Sequence, residues 1–386
     1  MRVAIDGRVI TEHFPGIGRY TYHLVDALAR VAPGDTFIVL HTPGQASPRH
    51  DLAALARHPN VRLHPVRAPV FGLAAQWQVP RALRALGADV FHATYWVGAY
   101  RPGVLTVLSL YDLIGARVPS SVPRWKQLGL DVAIRLALRG AGHVLTLSEA
   151  SKRDVVEVYG LAQDRITVTP LAADPRFHPA GAAAIADLRA RLGLPNRYAL
   201  YVGINKPHKN LATLVDAWGR LAAVHPDVAA TTDLVIAGPW DPRYAGVRAQ
   251  ADALPPPARV RFLGPVPEAD LPALYSGAAV FAFPSRYEGF GLPLLEAMAC
   301  GVPVVAADAT SLPEVVGDAG WLVDPDDVAG WADALAATLA DPTLAADLGG
   351  RGRARAAAFT WEETAGRTRA VYAAVGGPID ARAEAP

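Results

Sequence analysis

Pro284-Ser285-Arg286-Tyr287-Glu288-Gly289-Phe290-Gly291-Leu292-Pro293-Leu294-Leu295-Glu296-Ala297-Met298-Ala299-Cys300-Gly301 follows directly on the apolar run Val280 to Phe283, and the whole reads as strand, glycine loop and helix. Pro293 suits a first helical position and Gly301 a helix stop, which leaves Gly289 and Gly291 on the loop and Glu296 in an early turn. The backbone N–H groups of Gly289, Phe290, Gly291 and Leu292 then point at an anion, with the positive helix end behind them. Two carboxylates, Glu288 and Glu296, flank that cradle. A carboxylate accepts two hydrogen bonds from a vicinal diol, which ribose and hexose both offer. A helix-start glutamate that only complements the dipole would account for Glu296, but not for Glu288 or the paired glycines.

Outward from this stretch, short apolar runs alternate with alanine- and leucine-rich helical segments: Val3 to Asp6, Thr36 to His41, Asp89 to His92, Val104 to Leu108 and Val144 to Leu147, then Tyr198 to Val202, Leu234 to Ala237, Val260 to Leu263, Val280 to Phe283 and Val302 to Ala306. That alternation predicts parallel sheets wrapped by helices, and it occurs twice. Between the two series, Asp174 to Pro195 carries prolines around an alanine-rich helix and is read as the hinge region. The predicted architecture is α/β, with two Rossmann-like domains facing a cleft. Open sheets of this kind bind ligands at the carboxyl ends of their strands, so the loops after each run are where chemistry is sought.

Two such loops stand out beside the first. Gly203-Ile204-Asn205-Lys206-Pro207-His208-Lys209-Asn210 joins a strand to the helix Leu211 to Leu221, and Lys206, His208 and Lys209 there suit a phosphate or diphosphate. Pro207 and Asn210 are expected to fix the turn and cap the helix, aiming the cations inward; a surface turn with solvated lysines is the plainer alternative. Gly16-Ile17-Gly18-Arg19-Tyr20 opens another helix, and its glycines would let N–H groups approach an anion. A dinucleotide fingerprint needs a third glycine where Thr21 stands, so that site is disfavoured, and a plain tight turn stays open.

The 386 residues, 51% apolar and 19% charged, make a folding composition for two globular units. A lone cysteine, Cys300, excludes an intramolecular disulfide framework and fits a reducing compartment. Arg2, Asp6 and Arg8 interrupt any signal-peptide core, and no window reaches a membrane span. The expected location is cytoplasmic. Residues 1–190 carry 21 Lys+Arg against 14 Asp+Glu, and residues 191–386 carry 16 against 22. A basic front half could face an anionic ligand or lipid surface, or reflect arginine-rich helix faces alone.

Taken together, these segments resemble the retaining GT-B glycosyltransferases of family GT4. Glu288 and Glu296 match the family's E-x7-E pair, Val202-Gly203 through Lys209-Asn210 its donor-binding turn, and Gly16 to Gly18 its N-terminal loop. Thr146 to Arg153, Val168 to Asp174 and Phe262 to Val266 look like family segments in family order, and the likeness covers residues 1–375, closest to bacterial mannosyltransferase-like members that build cell-surface polysaccharide. The resemblance implies transfer of a sugar from a nucleotide-diphosphate sugar to a saccharide or lipid-linked saccharide, with retention, with no cofactor or required metal and no nucleic acid. It also implies residues 1–175 as the acceptor domain, 190–358 as the nucleotide-sugar domain and 359–376 as a helix returning to the first. Lys209 would hold the diphosphate with Lys206 or His208 as second cation, Glu296 would grip the ribose, and Glu288 would contact the transferred sugar. Gly203 belongs to the donor turn, Gly289 to Leu292 offer backbone donors, and Gly16 would close on the phosphates from the opposite domain.

One departure stands in Ser109-Leu110-Tyr111-Asp112: where the family commonly shows His-Asp, Tyr111 replaces the histidine, and a phenol does not exchange protons near neutrality as imidazole does. Asp112 binds acceptor or sugar, or braces the loop. His92 is a second candidate, with a satisfied structural histidine as the alternative. In Pro123 to Arg139, Arg124, Gln127, Asp131, Arg135 and Arg139 share one stripe, with Trp125, Leu128, Val132 and Leu136 on the other side. Such a helix is expected to cover its own core, with anionic membrane at the inner face of the cell as the other option. Asp324-Pro325-Asp326-Asp327 reads as a turn and N-cap rather than a metal motif. The tail after Gly376 reads as frayed. The rival functions are an NAD-dependent nucleotide-sugar enzyme, a sugar- or nucleotide-binding protein and a glycosyl phosphorylase, which would release sugar 1-phosphate from free phosphate.

Overall fold

The computed structural model describes residues 1–47, 49–118 and 124–376. Pro123 and the tail after Gly376 lie outside the described residues. The chain divides into two compact units, Met1–Leu171 with the chain from Thr360 onward, and Ala172–Phe359. The alanine-rich helix, Ala182–Leu192, lies within the second unit.

The first unit holds a sheet of β1 (Arg2–Asp6), β2 (Thr36–His41), β3 (Val61–Pro65), β4 (Val90–Ala93), β5 (Leu105–Ser109), β6 (His143–Thr146) and β7 (Ile166–Val168), ordered β3-β2-β1-β4-β5-β6-β7. The second holds β8 (Tyr198–Val202), β9 (Asp233–Ala237), β10 (Val260–Gly264), β11 (Val280–Phe283), β12 (Val304–Ala307) and β13 (Trp321–Val323), ordered β10-β9-β8-β11-β12-β13. The strands pair in parallel, with Ile5 opposite both Val39 and His92, and Phe281 opposite both Leu200 and Val304. Both are doubly wound, so each has a switch point where the order reverses, at β1/β4 and at β8/β11. Helices cover both faces of such a sheet, which is why its central strands are unbroken apolar runs: Val3 to Ile5 and Val280 to Phe283 are fully buried.

The last helix, Trp361–Gly376, packs on the helix Pro15–Val31 of the first unit. The Thr364 hydroxyl donates to the Pro170 carbonyl at 2.6 Å, and Arg369 pairs with Asp35 at 2.8 Å. Tyr372 shares a hydrogen bond of 2.6 Å with Nδ1 of His92 on β4.

The helix Arg124–Gly140 corrects one expectation. Its buried face is Ile134, Ala137 and Leu138, with Leu130 half-buried, whereas Leu128 is 67% and Val132 50% exposed. The stripe read as inward therefore faces outward. Apolar residues occupy both sides of this helix, so its periodicity alone does not choose between them. Among the described residues no helix is long and apolar enough to cross a membrane.

Candidate active site

Both halves of the expected donor site sit at the β8/β11 switch point of the second unit. After β8, the N–H of Gly203 donates to Ala237 O at 2.9 Å and so continues the sheet rather than facing a ligand. Asn205 then pins the turn, its side chain accepting from Asp241 N at 2.6 Å and donating to Asp241 O at 2.9 Å. A short 3-10 turn, Pro207–Lys209, follows Lys206. Asn210 ends it in a left-handed conformation, φ 57°, and begins the helix Leu211–Val224 without a side-chain bond to a helix N–H. Its amide instead donates to Pro325 O at 2.7 Å and its carbonyl oxygen accepts from Thr213 at 2.8 Å. The expected cap is thus a tie between the turn and the loop at Asp324–Asp327.

Lys209 reaches from this turn to the loop after β11. Its Nζ lies 2.5 Å from Glu288 Oε1, in a pair of low exposure, and 5.4 Å from the centre of the Phe283 ring. The N–H of Arg286 donates to His208 O at 2.8 Å, sewing the two loops together along the backbone. His208 itself is buried, and burial together with the charge of Lys209 pushes its imidazole down to about 4, whereas Lys206 at the start of the turn is exposed.

Beyond Glu288 the chain turns through Gly289, Phe290 and Gly291 into the helix Leu292–Ala299. Gly291 has φ 106°, and a Cβ there would lie 2.7 Å from Leu312, so glycine is required on both counts. The Phe290 ring is buried against Phe359, which leaves only its backbone for a ligand. The first N–H groups of a helix have no intrahelical partner and carry the positive end of its dipole, so an anion is favoured at this elbow. Glu296 sits in the second turn, buried, with the Tyr275 hydroxyl donating to Oε2 at 3.2 Å.

The loop after β12 carries no motif in the sequence, yet it too follows a strand end. Thr310 Oγ1 accepts from Glu288 N at 3.1 Å. The Ser311 hydroxyl faces both Glu288 O at 3.0 Å and Phe290 O at 2.9 Å. The Asp-x-Asp stretch is structural: Asp324 accepts from Asp326 N at 2.8 Å, Asp326 pairs with Arg286, and Asp327 caps the helix Val328–Ala340 through Gly330 N at 2.9 Å.

In the first unit, Gly16 and Gly18 lie in the first turn of the helix Pro15–Val31 rather than on a loop before it. The N–H of Gly18 is given to Phe14 O at 2.7 Å, and a Cβ there would stand 3.0 Å from Val9 O, so close packing and not anion contact accounts for this glycine. His92 is fully buried with both ring nitrogens engaged, Nδ1 by Tyr372 and Nε2 by Ser109 at 2.8 Å, and burial pushes it down to about 3. It is a structural histidine. The Tyr111 hydroxyl donates to Thr94 O at 2.5 Å, and burial raises it well above the ordinary phenol range. Asp112 accepts from Ile114 N at 3.0 Å, bracing its loop, and also lines a cavity of about 460 Å³ walled by Tyr95, Trp96, Tyr111 and Tyr159.

The profile for "Glycosyltransferase Family 4" matches residues 15–177, and that for "Glycosyl transferases group 1" matches residues 186–355. The O-antigen chain mannosyltransferase B of Escherichia coli is 30% identical over 322 residues, 78% of this chain and 81% of that protein. A D-inositol 3-phosphate glycosyltransferase of Salinispora arenicola is 30% identical over 406 residues, 93% of this chain and 88% of that protein. Among solved structures, Anabaena HepE in complex with UDP and glucose superposes with a TM-score of 0.73 at 22% identity, covering 97% of this chain and 100% of that one. A sucrose-phosphate synthase of Thermosynechococcus elongatus gives a TM-score of 0.71 at 24% identity, covering 96% and 98%. Relatives at this identity over most of both chains, two family profiles that follow one another along the sequence and two doubly wound sheets make this chain a member of the GT4-like glycosyltransferases of the GT-B fold.

Proposed function

We propose that the enzyme moves a hexose, mannose favoured, from a nucleotide-diphosphate sugar to a saccharide or lipid-linked saccharide, with retention at the anomeric carbon and without a required metal, in the building of cell-surface polysaccharide. The observation that carries this reading is the meeting of Lys209 and Glu288, from turns that leave neighbouring strands β8 and β11. Lys209 holds the diphosphate with Lys206 beside it, Glu296 receives the ribose hydroxyls, and Glu288 accepts from a hydroxyl of the transferred sugar. As the glycosidic bond breaks, negative charge grows on the β-phosphate. A preorganised cation and helix N–H groups aimed at that oxygen each lower the barrier by about 3 kcal/mol. The mannosyltransferase named among the relatives favours mannose as the sugar, and the UDP and glucose bound by HepE favour a nucleotide at the corresponding fold position.

Asp112, on the wall of the aromatic cavity, is the acceptor or sugar contact in the first unit. The exposed Leu128 and Val132, beside exposed Arg135 and Arg139, suit an anionic lipid surface at the cytoplasmic face, where a lipid-linked acceptor would be met. Thermal shift of the full chain against GDP, UDP, ADP and TDP tests the donor site. At least one should raise Tm, Lys209→Ala and Glu296→Ala should each shrink that rise, and Asp324→Ala should leave it. No shift with any of the four sinks the reading.

A further inference from the structure

Among the described residues two that are not glycine have a positive φ, Asn210 at 57° and Thr310 at 50°. Asn210 adjoins Lys209, and Thr310 hydrogen-bonds the backbone of Glu288, so the two left-handed positions support the two partners of one ion pair. Asparagine tolerates this conformation, but a β-branched threonine is strained in it. Strain of this kind persists only where surrounding structure holds it, and it gathers at functional sites.

We infer that Thr310 and Ser311 are positioning residues, which fix the backbone of Glu288 so that its carboxylate meets the transferred sugar; this rests on the reading of Glu288 given above. The Glu288 N–H is taken by Thr310 Oγ1 at 3.1 Å and its carbonyl accepts from the Ser311 hydroxyl at 3.0 Å, so both backbone polar groups of Glu288 are held by one neighbouring loop. Ser311 is fully buried and its hydroxyl is also 2.9 Å from Phe290 O, which extends the hold into the glycine loop. Leu312, the next residue, is the side chain that Gly291 must be glycine to clear. The backbone of Glu288 is thereby held by this loop while its carboxylate is left to its partner, Lys209. A residue that served only to turn the loop would have no need of a hydroxyl, because glycine fills a left-handed position without strain.

Thr310→Gly separates the two roles, since it relieves the strain and removes the hydroxyl. Binding of GDP, GDP-mannose, UDP and UDP-glucose to the full chain is measured by titration calorimetry, with Tm recorded for each variant. For the pair that wild type binds, Thr310→Gly should keep Tm and free-nucleotide affinity within about twofold but lose about tenfold or more for the nucleotide sugar. Ser311→Ala should move in the same direction, which keeps the test alive if the glycine variant folds poorly. Thr310→Ser, with its hydroxyl retained, should return nucleotide-sugar affinity to within about threefold of wild type. Equal loss for nucleotide and nucleotide sugar, no loss for either, or a serine variant as impaired as the glycine variant overturns the inference. Wild type that binds none of the four compounds overturns the donor-site reading instead.

Discussion

Past β8 and β11 the chain places Lys209, Glu288 and a glycine loop; past β4 and β5 of the other sheet it places Tyr95, Trp96, Tyr111 and Asp112. The strand order is shared, so the scaffold supplies the position of each site and the loops supply its chemistry. The β8/β11 switch point gathers charge and a helix amino end, with Asn210 and the neighbouring Thr310 left-handed, an arrangement that would suit an anion whose charge grows during reaction. The loops after β4 and β5 form aromatic walls around a braced carboxylate, over a buried chain of hydrogen bonds that runs Tyr372–His92–Ser109–Tyr20. Shape and hydroxyl recognition suit that second environment better than charge stabilisation.

The sharpest way to break this contrast is to neutralise each side and compare rates. Lys209→Met should lower the transfer rate, followed as release of nucleoside diphosphate, by about 100- to 1000-fold, the cost of removing one preorganised donor to a developing oxyanion. Asp112→Asn keeps the brace to Ile114 N and should cost far less, about tenfold, expressed more in KM for the acceptor than in kcat. Equal losses in kcat from the two variants would mean that both sites serve the same chemical step, and the division of labour fails.

Much of the second unit's site could be read from the sequence because it is local. The glycine loop, Pro293, Glu288 and Glu296 lie within one strand–loop–helix unit, where spacing alone fixes the geometry. The pairing of Lys209 with Glu288 spans 79 residues and the Thr310 contact 22, so no spacing rule reports either. The central strands were equally plain, being continuous apolar runs. The strands that escaped, β3, β7 and β13, lie at sheet edges. Val61–Pro65 interleaves Arg62 and His64 with its apolar residues, while Ile166–Val168 and Trp321–Val323 have three residues each, and an edge strand has no second neighbour to demand apolar continuity.

The two units also differ in what a buried histidine does, and acid separates them. His92 and His208 are both held below the ordinary histidine value, at about 3 and about 4, chiefly by burial. The unfolded chain therefore binds more protons than the folded one from about pH 6.5 downward, and stability falls as pH falls, by about 1.4 kcal/mol per pH unit for each histidine. The loss extends to about pH 3 for His92 and about pH 4 for His208. Calorimetric unfolding between pH 6.5 and 5, above the range where carboxylates titrate, reads this term. His92→Gln should be less stable than wild type by about 2 kcal/mol at pH 7, through the loss of a ring hydrogen-bonded at both nitrogens, yet show a shallower acid slope, with His208 and the also lowered His143 supplying the rest. An unchanged slope would place the titrating group elsewhere.

The smallest expected effect tests the outward face of the helix Arg124–Gly140. Leu128 and Val132 are more than half exposed or close to it, so replacing them leaves the core of Ile134, Ala137 and Leu138 intact and should not move Tm. The gain from burying two such side chains part-way into a bilayer surface is about 1.4 kcal/mol, since complete burial of each is worth about 1.5–3 kcal/mol. Leu128→Ser with Val132→Ser should therefore weaken cosedimentation with phosphatidylglycerol vesicles by about tenfold at most, and raised salt should weaken it further, because the neighbouring arginines act through screened charge. Neutral phosphatidylcholine vesicles should bind the wild type poorly. If both vesicle types bind alike, or the double variant binds as wild type does, the apolar stripe does not serve an anionic lipid surface, and the membrane reading of this helix fails.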